Sequence, residues 1–238
     1  MILAHEHPWD LTPEEARRLQ EDLRDLVCEV TLPESGLRWV TGVDAAYSSG
    51  QIHAAAVTMD MEAMVVTEQA VASIPLRFPY IPGMLSFRET PAILQALARL
   101  QRRPDVLIVD GHGAAHPRRF GIACHLGVLL DLPTIGCAKS VLVGKAPPPA
   151  LAAGSTSELR QGSELLGLAL RTHAHLSPVY VSVGHRVDLP SAARVVLACS
   201  RGRRLPEPTR LAHLLAGRTA REGYSADDQN LLKKGIDP

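Results

Sequence analysis

The chain has 238 residues, 46% of them hydrophobic and 21% charged, and its formal net charge at pH 7 is zero. Such a balance excludes a disordered segment and a strongly charged, non-specific polyanion binder, and leaves ample material for a core. No apolar run approaches the roughly 20 residues of a bilayer span, and the start, MILAHEHPWDL, lacks the basic and apolar regions of a secretory signal. Four scattered cysteines without a CxxC pair then predict reduced thiols in a cytoplasmic protein with no membrane segment.

Residues 12–29 read as an amphipathic helix on the outside of a sheet. Thr12 suits the cap, Pro13 the first position and Glu14-Glu15 the N-terminal dipole, and Leu19, Leu23 and Leu26 recur at helical spacing. Three closely joined strands follow over 38–47, 51–59 and 63–73, which predicts an antiparallel meander. Asp44 falls inside the first strand pattern, where Asp is disfavoured. It marks either a bulge or a carboxylate that faces a site. The segment FPYIPG at 78–83 is a stiff loop that presents Tyr80 and Ile81 between prolines, a structural corner or a wedge for a base stack. Ser86-x-x-Glu89 matches a capping box before a helix over 87–102 with Ile93, Leu94, Leu97 and Leu100 as its buried stripe. Glu89 either caps that helix or projects a carboxylate from its start.

The central stretch is DVLIVDGHGAAHPRRFGIACH, residues 105–125. Val106–Val109 has the length and β-branched content of a strand buried on both faces, and Asp110 stands just past its end, where open α/β sheets carry their catalytic groups. Gly111, Gly113 and Gly121 allow close approach of a ligand, and His112, His116, Arg118 and Arg119 lie between them. The plain alternative for Asp110-Gly111 is a turn. A helix over Ile122–Leu130 and a short strand over Leu132–Ala138 follow, with Lys139 at the strand end, where a lysine can meet phosphate. Residues 144–163 read as an irregular excursion, 164–172 as a helix, 179–183 as a strand and 190–199 as a helix. The last predicted helix, within 203–216, is capped by Thr209 and carries His213. No linker divides the chain, so one domain over residues 1–238 is expected. Lys233-Lys234 reads as solvated surface.

Asp44, Glu89 and Asp110 are hard oxygen ligands, a set suited to Mg²⁺ or Mn²⁺, and Lys139, His116, Arg118 and Arg119 add positive charge for a phosphate. This reading is a phosphodiester-cutting enzyme. Two rivals stand beside it. One is a zinc amidase or peptidase built on His112, His116, His125 and Asp110, although Gly111, Gly113 and Pro117 disfavour the helix that the His112/His116 spacing would need. The other is a non-catalytic nucleic-acid-binding module, which would not need three acids beside the backbone it binds.

Five segments, in order across nearly the whole chain, resemble the motif series of endonuclease V: VTGVDAAYS (40–48), FPYIPGMLSFRE (78–89), the run from Asp110 to Ser140, VYVSVGHRVDL (179–189) and RRLPEPTRLAH (203–213). The resemblance implies a ribonuclease H-like α/β fold, a central mixed sheet flanked by helices. It also implies Mg²⁺-dependent cleavage, with Mn²⁺ able to substitute, at the second phosphodiester 3′ to inosine, leaving a 3′-hydroxyl and a 5′-phosphate. Asp44, Glu89 and Asp110 would hold the metal, with His213 beside it, Lys139 at the scissile phosphate and His116 near the substrate. Pro79, Tyr80, Ile81 and Pro82 would form a strand-separating wedge. A flipped base would enter a pocket near Gly83, Leu85, Gly111, Gly121 and Ile122. His112 stands where the family often has Gln, and Arg203 where an aromatic is common. The implied partner is inosine-containing DNA, with RNA left open, and the implied state is a monomer.

Overall fold

The computed structural model describes residues 2–223. The elements are α1 (Pro13–Arg24), β1 (Trp39–Ser48), β2 (Gln51–Asp60), β3 (Val65–Pro75), α2 (Leu85–Ala98), β4 (Val106–Val109), α3 (Ile122–Leu130), β5 (Thr134–Ala138), β6 (Thr156–Gln161), β7 (Glu164–Leu170), β8 (Val179–His185), α4 (Leu189–Ala198) and α5 (Glu207–Glu222). All eight strands join one mixed sheet in the order β3-β2-β1-β4-β5-β8-β7-β6. β1, β4 and β5 run parallel. The remaining neighbours are antiparallel.

Period-two alternation divides the sheet residues between two cores. Val40, Ala55 and Val57 pack beneath α4 and α5, against Val195, Val196, Leu211 and Leu215. Val43, Ile52, Ala54 and Ala56 point the other way, to Ile93 and Leu97 of α2 and Leu126 of α3. The small side chains of β1 and β2 let α5 come very close. A Cβ on Gly42 would lie 2.1 Å from the carbonyl carbon of Pro208 and 2.2 Å from the amide nitrogen of Thr209. Helix α5 therefore rests directly on the backbone of β1.

Several sequence expectations are corrected. Helix α1 has the full capping box of Thr12 and Glu15 but stops at Arg24, which leaves Leu26 exposed. It packs not on the sheet but over the base of the 78–83 loop, where Ala16 and Leu19 meet Phe78, Met84 and Phe87. Helix α2 begins at Leu85 with Met84 as its cap, so Ser86 and Glu89 form no capping box, and it ends at Ala98. The expected excursion over 144–163 contains β6, and the expected helix over 164–172 is β7. Leucine and alanine favour helix in isolation, but β7 pairs on both sides, with β6 and β8, and tertiary pairing overrides a weak local preference. The cap of α5 is Pro206, and the Thr209 hydroxyl donates to the Pro206 carbonyl at 2.9 Å. Lys233-Lys234 lies outside the described residues. Among the described residues all four cysteines are free, and no helix is long and apolar enough to cross a membrane.

Candidate active site

Parallel pairing of β1 with β4 brings Asp44 and Asp110 to the same end of the sheet. Asp44 sits in unbroken register opposite Ala55, so it is no bulge residue. Asp110 follows the last residue of β4, its N–H donating to the Val43 carbonyl at 3.2 Å. From α5, His213 places Nδ1 2.6 Å from Asp44 Oδ2. Ligand atoms of Asp44, Asp110 and His213 lie within 4.8 Å of one another, and among the described residues this is the one group of three or more able to hold a metal ion. Lys139, at the end of β5, donates from Nζ to Asp110 Oδ2 at 2.5 Å.

Glu89 approaches from the second turn of α2, on the opposite face of the sheet from α5. It is buried, and Tyr47 of β1 donates its hydroxyl to Oε1 at 2.5 Å. Burial, with Asp44 and Asp110 nearby, pushes its carboxyl up to about 8 against the pull of the Tyr47 bond. Burial and the charge of Asp110 push Asp44 up to about 6. Carboxyls crowded in a poorly solvated place cannot all ionise without a compensating cation, and a divalent metal is the usual one.

The second part of the site is a cavity of about 290 Å³ beside this cluster. Tyr80, Ile81, Pro82, Gly83, Leu85, Gly121 and Ile122 line it, with Gln20, Ser86, His112, His116, Ser140 and Leu142. Gly111 stays behind the lining, its Cα packed against Ile122, and Pro79 lies on the other flank of the loop. Tyr80 is 73% exposed at the rim. The loop that carries it is held stiffly. Gly83 turns with φ +76°, and its carbonyl accepts from Gln20 Nε2 at 3.2 Å, His116 Nε2 at 2.9 Å and Arg118 at 2.5 Å.

His116 is thus committed to the loop and is not part of the metal group. Its Nε2 donates to Gly83 and its Nδ1 accepts from the Arg118 amide at 3.2 Å, so the ring is neutral. Burial first, then Arg118, lowers its pKa to about 4. The unfolded chain takes up this proton near pH 6.5, the folded chain only near 4, so stability is lost as pH falls through that window. Relative to His116→Gln, which keeps a donor for Gly83, the wild-type chain is expected to lose about 3 kcal/mol between pH 6.5 and 4. Urea denaturation of both proteins across that range checks this, and a constant difference would mean a ring that takes up its proton alike in the folded and unfolded chains.

The histidine-zinc arrangement is not formed. His125 is fully buried against His7, at 2.7 Å between Nε2 atoms, and His112 bonds the Ser140 carbonyl at 3.0 Å. Sequence reasoning missed Gln20, Tyr47 and Leu142. Only Gln20 left a signal, as a polar residue on the inward stripe of α1.

The order of strands, with acids at the adjoining ends of β1 and β4 and a further acid on the flanking helix, defines a nuclease of the ribonuclease H-like fold. The family model for endonuclease V matches residues 21–214. An endonuclease V of Roseiflexus castenholzii is 52% identical over 213 residues, 89% of this chain and 95% of that protein. The crystal structure of endonuclease V from Streptomyces avermitilis has a TM-score of 0.87 at 44% identity, covering 91% of this chain and 96% of that one. That of Ciona intestinalis endonuclease V, in complex with a 24mer DNA containing an inosine followed by a ribo-adenosine, has a TM-score of 0.79 at 27% identity over 88% of this chain and 98% of that one. The chain belongs to the endonuclease V family and is an enzyme of nucleic-acid cleavage.

Proposed function

We propose that this chain is a Mg²⁺-dependent repair endonuclease that cuts DNA at the second phosphodiester 3′ to an inosine, leaving a 3′-hydroxyl and a 5′-phosphate. The observation that carries this reading is a carboxylate cluster set beside a base-sized cavity under a rigid, aromatic-tipped loop. The inosine-containing DNA in the Ciona complex supports the choice of lesion.

The donor set fits Mg²⁺, with Mn²⁺ as a substitute. Asp44 and Asp110 would supply hard oxygen ligands, with Glu89 as a third acid reaching in from α2, and His213 fixes Asp44 from α5. The ion would supply charge to polarise the phosphate and to acidify a water. The chain's own residues do the rest. Lys139 offers an ammonium to a non-bridging phosphate oxygen, drawn into place by Asp110. Tyr47 holds Glu89 in orientation. Tyr80, Pro79, Ile81 and Pro82 enter the stack and displace the altered base, and inosine pairs open more easily than normal ones. The base then rests among Gly83, Leu85, Gly121 and Ile122, where backbone groups read its edge. The site draws every group from one chain and needs none from a second copy, and we propose a monomer.

A labelled duplex with one inosine and an inosine-containing RNA, each with Mg²⁺ or with a chelator, test this. The expected result is a Mg²⁺-dependent nick one nucleotide beyond inosine, faster on DNA, and abolished by chelation. Cleavage that survives chelation, or ignores inosine, would overturn it.

A further inference from the structure

We infer that a second cavity, on the other flank of the same loop, receives the base left unpaired on the complementary strand. This rests on the reading that the loop opens an inosine pair. Tyr80 to Gly83 wall the cavity already described, whereas Arg77, Phe78 and Pro79 wall a larger one of about 390 Å³, closed by Phe87 and Arg88 of α2 and by Trp9. A wedge between strands separates both members of a pair. One base moves to each side of it, and here each side has a recess.

The second recess is preformed. Trp9 is wedged among rings, with its centroid 4.3 Å from His7, 5.4 Å from His125 and 6.4 Å from Phe87. The segment that carries it is tied down by the His7–His125 contact at 2.7 Å and by the Ala4 amide on the Leu129 carbonyl at 2.8 Å. Aromatic walls of this kind are what unpaired bases stack on. Arg77 is exposed and, among the described residues, makes no hydrogen bond or ion pair, so its charge is free for the strand's phosphates. Arg88 donates to the Phe78 carbonyl at 2.8 Å and lies over the Tyr47 ring at 4.7 Å, and its buried Nε has no partner. Asp10 adds a carboxylate to the lining, an acceptor that suits the ring N–H of an unpaired base and repels a phosphate. That favours a base over a phosphate as the occupant. A nuclease of single strands would have no use for this recess, so the proposal commits the chain to a duplex substrate.

The test uses 2-aminopurine opposite inosine, bound by the full chain carrying Asp110→Asn so that the duplex stays intact. Its emission, already low in the stacked duplex, is expected to stay low on binding because the displaced base restacks in the recess, and to rise in Gln95→Trp, which fills the recess from an exposed position on α2. Gln95→Trp is expected to weaken binding to the inosine duplex about tenfold, and Arg77→Ala about threefold, with both within about twofold of the parent on single-stranded inosine DNA. Equal losses on duplex and single strand, or undiminished duplex binding and unchanged low emission in Gln95→Trp, would overturn the second recess while leaving the inosine reading standing. Equal binding of inosine-containing and plain duplexes by the parent chain would overturn the inosine reading itself, and this inference with it.

Discussion

Asp110→Asn is expected to slow cleavage by about a thousandfold or more at saturating protein, with affinity for an inosine-containing strand changed less than about threefold. The substitution keeps the shape of the side chain and the backbone bond from residue 110 to Val43, so the end of β4 stays in place. What it removes is charge. Lys139 loses the carboxylate that holds its ammonium at 2.5 Å, the metal group loses one of its acids, and Asp44 loses a neighbouring charge that raises its pKa. On the proposed reading, base recognition lies elsewhere, in the cavity and the loop, and is left untouched. Single-turnover cleavage and equilibrium binding on the same oligonucleotide separate the two effects. Near-normal turnover would remove Asp110 from the catalytic centre.

Gly42→Ala is expected to cost about 3 kcal/mol or more of stability and most of the activity as well. The added methyl group would meet Pro208 and Thr209 backbone atoms at 2.1 and 2.2 Å, and backbone in the first turn of a helix cannot rotate aside as a side chain can. Helix α5 must lift, which strips Leu211 and Leu215 of their cover on the sheet and draws His213 away from Asp44. The control is His213→Ala, an exposed position, where activity is expected to fall with little change in unfolding midpoint. If Gly42→Ala leaves both midpoint and cleavage intact, the close seat of α5 on β1 is refuted.

Two of the acids were legible in the sequence because each breaks a local pattern: Asp44 interrupts a strand and Asp110 ends a buried apolar run. Glu89 instead matched a capping pattern, which left its role open between a cap and a site carboxylate. Their convergence was not legible, since Asp44 and His213 meet across 169 residues and only the sheet order brings β1 and β4 side by side. The capping motif at Ser86 misled because its spacing recurs inside helices, and Glu89 instead serves a burial-stressed bond to Tyr47. Strand β7 was hidden by its Leu-rich composition, whose preference is helical until β6 and β8 flank it. His116 looked like a catalytic group because it sits among cations near an acid. Its actual partner, the Gly83 carbonyl, is a backbone atom that no residue-type pattern reveals.

The seat of His213 on Asp44 also bears on how the protein is made. Asp44 leaves the ribosome early, and its partner comes from α5, the last helix among the described residues. An unfinished chain, or one cut short before α5, carries the strand-end acids without the helix that covers one face of β1 and closes the group. Cleaving power is therefore expected only once α5 is seated on β1, and a chain truncated before Glu207 is expected to leave inosine-containing DNA uncut.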